Sequence, residues 1–556
     1  MCGIFAWIRS STARTLTKAD AVTAAMNTLV ARGPEGTRVM DISGAQAQAL
    51  FGFTRLAING LNPAGMQPFT RSGLTWICNG EIYNAPTIEK VLGYTSESAS
   101  DCEVLGALWT SLTVGASPLD RTVLQGVPTA FARALDGVFA IVLYDSFREV
   151  YVVARDPYGV RPLYYSQYAF DGIVFASERK TLEGFVEPNA KIHEFPPGEV
   201  WTVSPDGKIL TQEVYHSVPW LKTNSTHADV SLALTNAVKK RLLTERPIAA
   251  MLSGGLDSSL IAAIVQKMLQ EAGNPPLKTF SIGMAGSSDL KYARIVANWI
   301  GSEHHEMITT ADEMFAAIPD VIRDIESYDI TSVRASVGNW LVAREIKRRS
   351  ECKVVFNGDG SDEVWGSYLY FYKAPNDYAF EAESQRLMAN IHRYDVLRSD
   401  RCISSHGLEA RTPFLDKQFV AVAMGVSTAE RRPAFGGPDR EMRAEKQFLR
   451  EAFTAKDGKA LLPYEVLWRR KEAFSDGVSS TEKSWYEEIQ NRVCVPENWR
   501  ELAKEFKGGP VPHTPEAFYY RSIYESMYKK TGDYWPYWMP KWSPETTDPS
   551  ARTLSL

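Results

Sequence analysis

The chain of 556 residues is poor in cysteine, and no two of its six cysteines stand in a C-x-x-C pair: Cys2, Cys78, Cys102, Cys352, Cys402 and Cys494 are scattered. That spacing argues against a clustered zinc site and against a disulfide framework. The eight histidines form no H-E-x-x-H arrangement, and the adjacent His304 and His305 would point to opposite sides of a strand. Long apolar runs are missing as well. The N-terminus holds only the five apolar residues Ile4 to Ile8 before Arg9, and nowhere do 18 run together, so neither a signal sequence nor a spanning helix is expected. Charge of one sign is also lacking. With 61 basic and 66 acidic residues the formal balance is −5, which offers no general attraction to nucleic acid or to an anionic membrane. These absences predict a cytoplasmic, unanchored protein in a reducing compartment, with no nucleic-acid and no membrane partner.

What is present is an ordinary globular composition, 44% hydrophobic and 23% charged, in a chain long enough for roughly two to four domains. Near its middle, Ile248 to Ser259 reads I-A-A-M-L-S-G-G-L-D-S-S. The first five residues have the length of a buried strand. After two glycines, Leu260, Ile261, Ile264, Val265, Met268 and Leu269 recur at helical spacing. In a strand, tight loop and helix of this kind, Gly254 and Gly255 can take backbone angles closed to other residues, so that N–H groups converge at the positive end of the helix. Ser253, Ser258 and Ser259 add hydroxyls, and Asp257 adds a carboxylate suited to magnesium. No lysine follows the glycines, so the loop is not of the G-x-x-x-x-G-K-[ST] type. It resembles instead the pyrophosphate loop of ATP pyrophosphatases, which cleave ATP between its α- and β-phosphates to adenylate a substrate.

The chain opens M-C-G-I-F-A-W-I. Removal of Met1 leaves Cys2 with its own α-amine, whose ordinary pKa near 8 lets it take the thiol proton. The competing reading of Cys2 is a buried cysteine on a core strand. Arg55 in F-T-R-L-A-I-N, Asn79 and Gly80 in C-N-G-E-I-Y-N, and Asp101 in S-D-C-E each lie between apolar runs. An arginine fork suits the carboxylate of a free amino acid, and a carboxylate suits its ammonium. The Asn79 amide and the Gly80 N–H could stabilise an oxyanion. Each of these alone also reads as a surface arginine, a turn Asn-Gly or a capping Asp.

Together, in this order and with R-G-P at Arg32 to Pro34, they resemble the class II glutamine amidotransferases, the N-terminal-nucleophile glutaminases, over about 200 residues. The resemblance implies hydrolysis of glutamine with Cys2 as nucleophile and Asn79 with Gly80 as oxyanion hole. It places the glutamine against Arg55, Leu56, Ala57, Ile58, Asn59, Glu81 and Asp101. The segments Leu135 to Tyr144 and Val150 to Asp156 are strand-rich, and an antiparallel sandwich of the N-terminal-nucleophile type is expected over residues 1–213.

From about residue 230, past a boundary at the polar stretch Lys222 to Asp229, strands and helices alternate. Strands are expected at Lys278–Ile282, Glu306–Thr309 and Lys353–Phe356, and a helix at Lys291–Ile300, so residues 222–556 should form an α/β domain on a doubly wound parallel sheet. In that architecture ligands lie beyond the carboxyl ends of the strands. The N-G-D-G-S-D-E loop there crowds Asp359, Asp362 and Glu363 together, a density of carboxylates that calls for a cation. The twelve-residue calcium loop does not fit it.

L-S-G-G-L-D-S-S, Y-D-I-T-S-V-R-A-S from Tyr328, G-D-G-S-D-E-V-W-G-S-Y from Gly358, L-E-A-R-T-P-F-L-D-K from Leu408 and R-R-K-E-A-F-S-D-G-V from Arg469 closely resemble the glutamine-dependent asparagine synthetases. That resemblance implies three substrates: aspartate, glutamine and ATP with Mg2+. It implies a β-aspartyl-AMP intermediate, and ammonia passing inside the protein from one site to the other. Leu252, Ser253, Gly254, Gly255, Asp257, Ser258, Ser259, Ile282, Asn357 and Gly358 are expected on ATP, Thr331 and Arg334 on aspartate, and Asp257 with Asp362 on the metal. Lys471 steadies the phosphates and Asp359 takes a catalytic role, while Arg411 and Asp416 are read as structural. A homodimer is compatible with this reading.

One departure stands out. The family usually reads S-G-E-G-S-D-E where this chain has Asn357 and Asp359, and an acid shorter by one methylene can cost on the order of a hundredfold in rate through a shift of about 1 Å. Two other readings stay open: a ring-closing adenylating ligase like the β-lactam synthetases, which has no use for a glutaminase, and a catalytically weak glutamine or nucleotide sensor. The aromatic segment Tyr534 to Trp542 is expected to pack as a strap on the domain surface.

Overall fold

The computed structural model describes residues 1–10, 19–43, 47–114, 124–167, 172–435, 442–454, 460–472, 474–479, 483–544, 546 and 548–549. The opening run is apolar at every position because both of its faces are covered. Ile4, Ala6 and Ile8 point into a sheet-on-sheet core, and Phe5 and Trp7 point the other way against the helix Ala19–Leu29 and Phe185. The strands that follow are β1 (Gly3–Ser10), β2 (Gly36–Ser43), β3 (Ala47–Arg55), β4 (Phe69–Arg71), β5 (Leu74–Ile82), β6 (Gly137–Asp145), β7 (Val150–Arg155), β8 (Tyr164–Ser166), β9 (Gly172–Ala176), β10 (His193–Glu194), β11 (Glu199–Val203) and β12 (Ile209–Val214). They form two six-stranded sheets, in the orders β10-β8-β9-β1-β3-β2 and β12-β11-β7-β6-β5-β4. All neighbours in these sheets pair antiparallel. Their inner faces meet through Phe51, Phe53, Val142, Tyr151, Val153 and Trp201, and the outer face of the second sheet is covered by the helices Val104–Thr113 and Val127–Ala134. The result is the expected antiparallel sandwich with helices outside it.

The second half is built on β13 (Ile248–Met251), β14 (Lys278–Met284), β15 (Glu303–Thr309), β16 (Val354–Phe356) and β17 (Glu409–Arg411). Their spatial order is β15-β14-β13-β16-β17, parallel throughout. Alternate residues serve opposite faces. Ala250, Val354 and Phe356 join one helical layer, and Ala249, Phe280 and Val355 join the other, so the sheet is doubly wound. His304 and His305 do face opposite ways. His304 meets Thr279 and Ser281 on one side, and His305 stacks on Phe280 on the other. The third strand begins at Glu303, three residues before the expected start. The edge strand β17, within L-E-A-R-T-P-F-L-D-K, was not anticipated as a strand, being too short for its period to show. From β13 the chain winds outward to β14 and β15, then returns to β16 on the other side. The reversal puts the loops after β13 and β16 next to each other, where an open parallel sheet forms its ligand crevice.

The two halves meet across buried charges. Arg32, Arg161, Arg401 and Arg411 are each 1% exposed or less. Asp400 faces Arg32 at 2.7 Å, Arg401 at 3.2 Å and Arg161 at 3.5 Å. Arg32 also pairs with Glu178 at 3.0 Å, and Arg411 joins Glu409 at 2.7 Å to Glu81 at 3.2 Å. Burial alone would raise the Asp400 pKa, but the Arg32 and Arg401 guanidiniums outweigh it and hold it down to about 2. The segment Tyr534 to Trp542 lies as a strap: Trp538 packs on Tyr368 and Tyr370, and Trp542 on Phe371.

Removing one partner of a buried pair leaves the other charge without compensation. Arg32→Ala is therefore expected to lower unfolding free energy by about 3–5 kcal/mol in urea titrations at pH 7. Because the folded pKa of Asp400 is depressed, that difference shrinks as pH falls from about 4 toward 2. The Arg32→Met, Asp400→Leu pair should lose less than the sum of its single exchanges.

Candidate functional site

At the N-terminal site, the return from β3 brings Leu56 onto Cys2. The Leu56 N–H donates to Cys2 Sγ at 3.4 Å, and the thiol donates to the Leu56 carbonyl at 3.5 Å. Both domains hold the loop that follows. Ala57 N–H donates to Glu35 at 2.8 Å, the Ile58 carbonyl accepts from Glu245 N–H at 3.0 Å, and Asn59 donates to Glu81 at 2.9 Å. The Arg55 guanidinium is turned onto the carbonyls of Gly60 and Asn62 of the same loop. The Asp101 carboxylate accepts the Ile82 N–H at 2.6 Å, and burial lifts its pKa to about 6. Glu81, buried beside Arg411, is pushed up by burial well above the ordinary carboxylate range.

Asn79 is completely buried in β5, and neither atom of its side-chain amide has a hydrogen-bond partner. Burying both without compensation is costly, which leaves this amide open to a ligand or an ordered water. Gly80 beside it is required sterically, since a Cβ would stand 2.1 Å from the Val138 carbonyl oxygen. Burial pushes the Cys2 thiol up to about 11. Met1 occupies the amine position: its own amine donates to the Leu408 carbonyl at 3.2 Å and is pulled down to about 5 by burial. Only removal of Met1 gives Cys2 the amine that the sequence reading assigned to it.

The second site is the crevice between β13 and β16, a cleft of about 270 Å³. Leu252, Ser253, Gly255, Asp257, Ser258, Ile282, Thr331, Arg334, Asn357, Gly358, Asp359, Asp362 and Lys471 all line it. Gly254 and Ser259 are not among its lining residues. Gly254 makes the turn, at φ +71, and a Cβ there would lie 2.4 Å from the Ala293 nitrogen. The second glycine does not use its freedom: Gly255 sits at φ −74 as the residue before the helix Leu256–Glu271. Ser259 is fully buried on the inner side of that helix. The loop hydroxyls hold one another, with Ser253 Oγ and Ser258 Oγ 3.0 Å apart. Gly358 lets the neighbouring loop approach, because a Cβ would stand 2.8 Å from Asp257 Cβ.

Asp257 and Asp362 converge on one point. That point holds the Lys446 ammonium, 2.6 Å from each carboxylate. Lys471 reaches the other oxygen of Asp362 at 2.5 Å. Burial works to raise the Asp362 pKa, and the two lysines overcome it and hold the group far below the usual range. Lys446 went unnoticed in the sequence because nothing in R-A-E-K-Q distinguishes it. Its signal is conformational: a non-glycine residue at φ +54 whose side chain is almost fully buried, the kind of strain that gathers at functional sites. Arg469 also lines the cleft, tied to Asp289 at 2.9 Å and lying over the Tyr292 ring.

A cation therefore fits between Asp257 and Asp362. Among the described residues no three acidic, histidine or cysteine groups gather to hold a metal, so a divalent ion between these two carboxylates would need further ligands from outside the protein. At the far end, the Thr331 hydroxyl is buried without a partner. Arg334 is taken up by two carboxylates, Glu516 at 2.5 Å and Asp548 at 2.7 Å. Asp416, read as structural, caps the helix Lys417–Gly425 and pairs with Arg241. Arg411, read the same way, touches Glu81 of the first site.

One chain thus joins a site at Cys2 and the buried Asn79 amide to a crevice at the switch point of a parallel sheet. Residues 1–195 match the family described as glutamine amidotransferase domain, and residues 229–381 and 375–548 match asparagine synthase. The glutamine-hydrolysing asparagine synthetases of rat and human are each 38% identical over 586 residues, covering all of this chain and 99% of theirs. That of chicken is 38% identical over 590 residues, covering all of this chain and 98% of its own. The chain belongs to the glutamine-hydrolysing asparagine synthetase family.

Lys446→Ala leaves Asp257 and Asp362 facing each other without their shared cation. Stability at pH 7 is expected to fall by about 2–3 kcal/mol. Millimolar Mg2+, taking the vacated point, should restore part of it in urea titrations of the variant and leave the parent nearly unchanged.

Proposed function

We propose that the chain makes L-asparagine from L-aspartate and ATP with ammonia released from glutamine, giving AMP, pyrophosphate and glutamate. The observation that carries this reading is the conjunction, in one chain, of the buried, unpartnered Asn79 amide in the half that holds Cys2 and a two-carboxylate, two-lysine cleft at the switch point of a parallel sheet.

At the first site the free amine of Cys2, exposed by loss of Met1, takes the thiol proton as sulfur attacks the glutamine amide carbon. The Asn79 amide and the Gly80 N–H receive the developing oxyanion. Asp101 and Glu81 take the substrate ammonium, Arg55 takes its carboxylate, and Leu56 to Asn59 form the wall beside it. The Cys2 amine returns the thiol proton to the leaving nitrogen as the tetrahedral adduct collapses, so ammonia departs, and water hydrolyses the thioester to glutamate and the free thiol. At the second site the β-carboxylate of aspartate attacks the α-phosphate to give β-aspartyl-AMP and pyrophosphate. Ammonia from the first site then displaces AMP.

Leu252, Ser253, Gly255, Asp257, Ser258, Ile282, Asn357 and Gly358 hold the nucleotide, with Gly254 shaping the turn and Ser259 packed inside the helix behind it. Lys471, together with Lys446, carries the charge that grows on the leaving pyrophosphate. Mg2+, which Asp257 and Asp362 would hold, neutralises phosphate charge when bound. Thr331 and Arg334 serve aspartate, whose carboxylate has the same chemistry as the Asp548 group that Arg334 now holds. The six free cysteines and the absence, among the described residues, of a helix long and apolar enough to cross a membrane support a cytoplasmic setting.

Cys2→Ala is expected to abolish glutamine-dependent asparagine formation and to leave the ammonium-dependent rate within about twofold of the parent. Assays of asparagine, AMP and pyrophosphate with each nitrogen source decide it, and loss of both activities refutes two separable sites.

A further inference from the structure

We infer that Asn357 is the positioning residue for the Asp359 carboxylate, and that the two side chains act as one unit in the synthetase step. The inference rests on the reading of the cleft as the adenylating site. Its basis is geometric. Asn357 leaves the end of β16, 4% exposed, with its backbone N–H bound to the Arg411 carbonyl at 3.1 Å. Its side-chain NH2 donates to Asp359 Oδ2 at 2.7 Å and to Ser399 Oγ at 2.7 Å, while its Oδ1 faces the Asp359 N–H at 3.4 Å. One amide thus grips both the carboxylate and the backbone of the residue two positions on, an Asx-type arrangement.

From the opposite side Arg398, on the helix Asp395–Ser404, reaches Asp359 Oδ1 at 3.1 Å and also pairs with Asp395. Asp395 accepts the Gly360 N–H at 3.1 Å. Both oxygens of Asp359 are therefore assigned before any substrate arrives.

Asn357 and Asp359 are the two places where this loop departs from S-G-E-G-S-D-E, and the departures are complementary in length. The acid has lost one methylene, and its neighbour has gained one heavy-atom step beyond Cβ. A serine at 357 would stop a bond short of the contact that Nδ2 makes. A glutamate at 359 would drive its carboxylate against the Asn357 amide, Ser399 and Arg398. The donor is also the right kind. A neutral amide fixes a carboxylate without quenching its charge, and Arg398 is already shared with Asp395. The charged groups facing Asp359 are Arg398, Asp395 and Asp362, with Ser399 as a further donor. Burial, with the Asp395 and Asp362 carboxylates, raises its pKa to about 6 against the pull of Arg398, and removing a donor that favours the charged form raises it further.

The test is a cycle of Asn357→Ser, Asp359→Glu and the double variant, assayed as full-length enzyme with aspartate, MgATP and ammonium. Each single exchange is expected to lower kcat by about a hundredfold, and the double variant to recover at least tenfold over either single one. Asn357→Ser should also move the acid limb of the kcat–pH profile upward. Losses that simply multiply in the double variant, or an unshifted pH profile in Asn357→Ser, overturn the inference. If the parent enzyme forms no asparagine, the reading of the cleft has failed instead. The pairing is then still decided by 13C NMR of Asp-labelled protein without substrates, where the Asp359 titration should move upward in Asn357→Ser; an unmoved titration overturns the pairing as well.

Discussion

Everything catalytic in this chain hangs on a set of guanidinium–carboxylate contacts buried between its halves. Four arginines without access to water can stay charged only because each meets an acid, and the acids come from the other half as often as from the same one. Arg32 of the sandwich finds Asp400 of the α/β half, and Arg411 of the α/β half finds Glu81 of the sandwich. Apolar packing would have tolerated sliding of one half on the other. A lattice of paired charges does not, because any slip strands a charge in a low-dielectric interior.

That constraint falls on the two sites unequally. Glu81 holds the loop after β3 through Asn59, and the carbonyl of its partner Arg411 accepts the Asn357 N–H at the mouth of the cleft. The Cys2 side and the cleft are therefore anchored to the same residue from opposite sides. In the cleft itself the arrangement is simpler. Two strands end side by side, Gly358 lets their loops touch, and the carboxylates of Asp257 and Asp362 are met by Lys446 and Lys471.

Much of this was legible in the residues. The glycine loop had a strand before it and helical spacing after it, so its place at a strand end followed from period alone. Cys2, Asn79, Gly80 and Asp101 were each ambiguous and became readable only as an ordered set. Other features could not be read. Lys446 carries no local pattern, because its importance lies in where a strained turn aims an ammonium. Gly255 had the freedom to turn the chain, but the turn was completed at Gly254. The three residues of β17 were too few to show a period, although they complete the sheet and carry Arg411. Arg334 was expected open to a substrate, and two distant carboxylates from the C-terminal region occupy it.

By itself the sequence determined the order and kind of the elements, the family and the residue types of both sites, because hydrophobic period and loop chemistry are local properties of the chain. The tertiary structure alone decided which charges meet: Lys446 between Asp257 and Asp362, Arg411 against Glu81, Asn357 against Asp359. Those partners lie from two to more than three hundred residues apart, and their pairing depends on distances of about 3 Å that no spacing in the chain encodes.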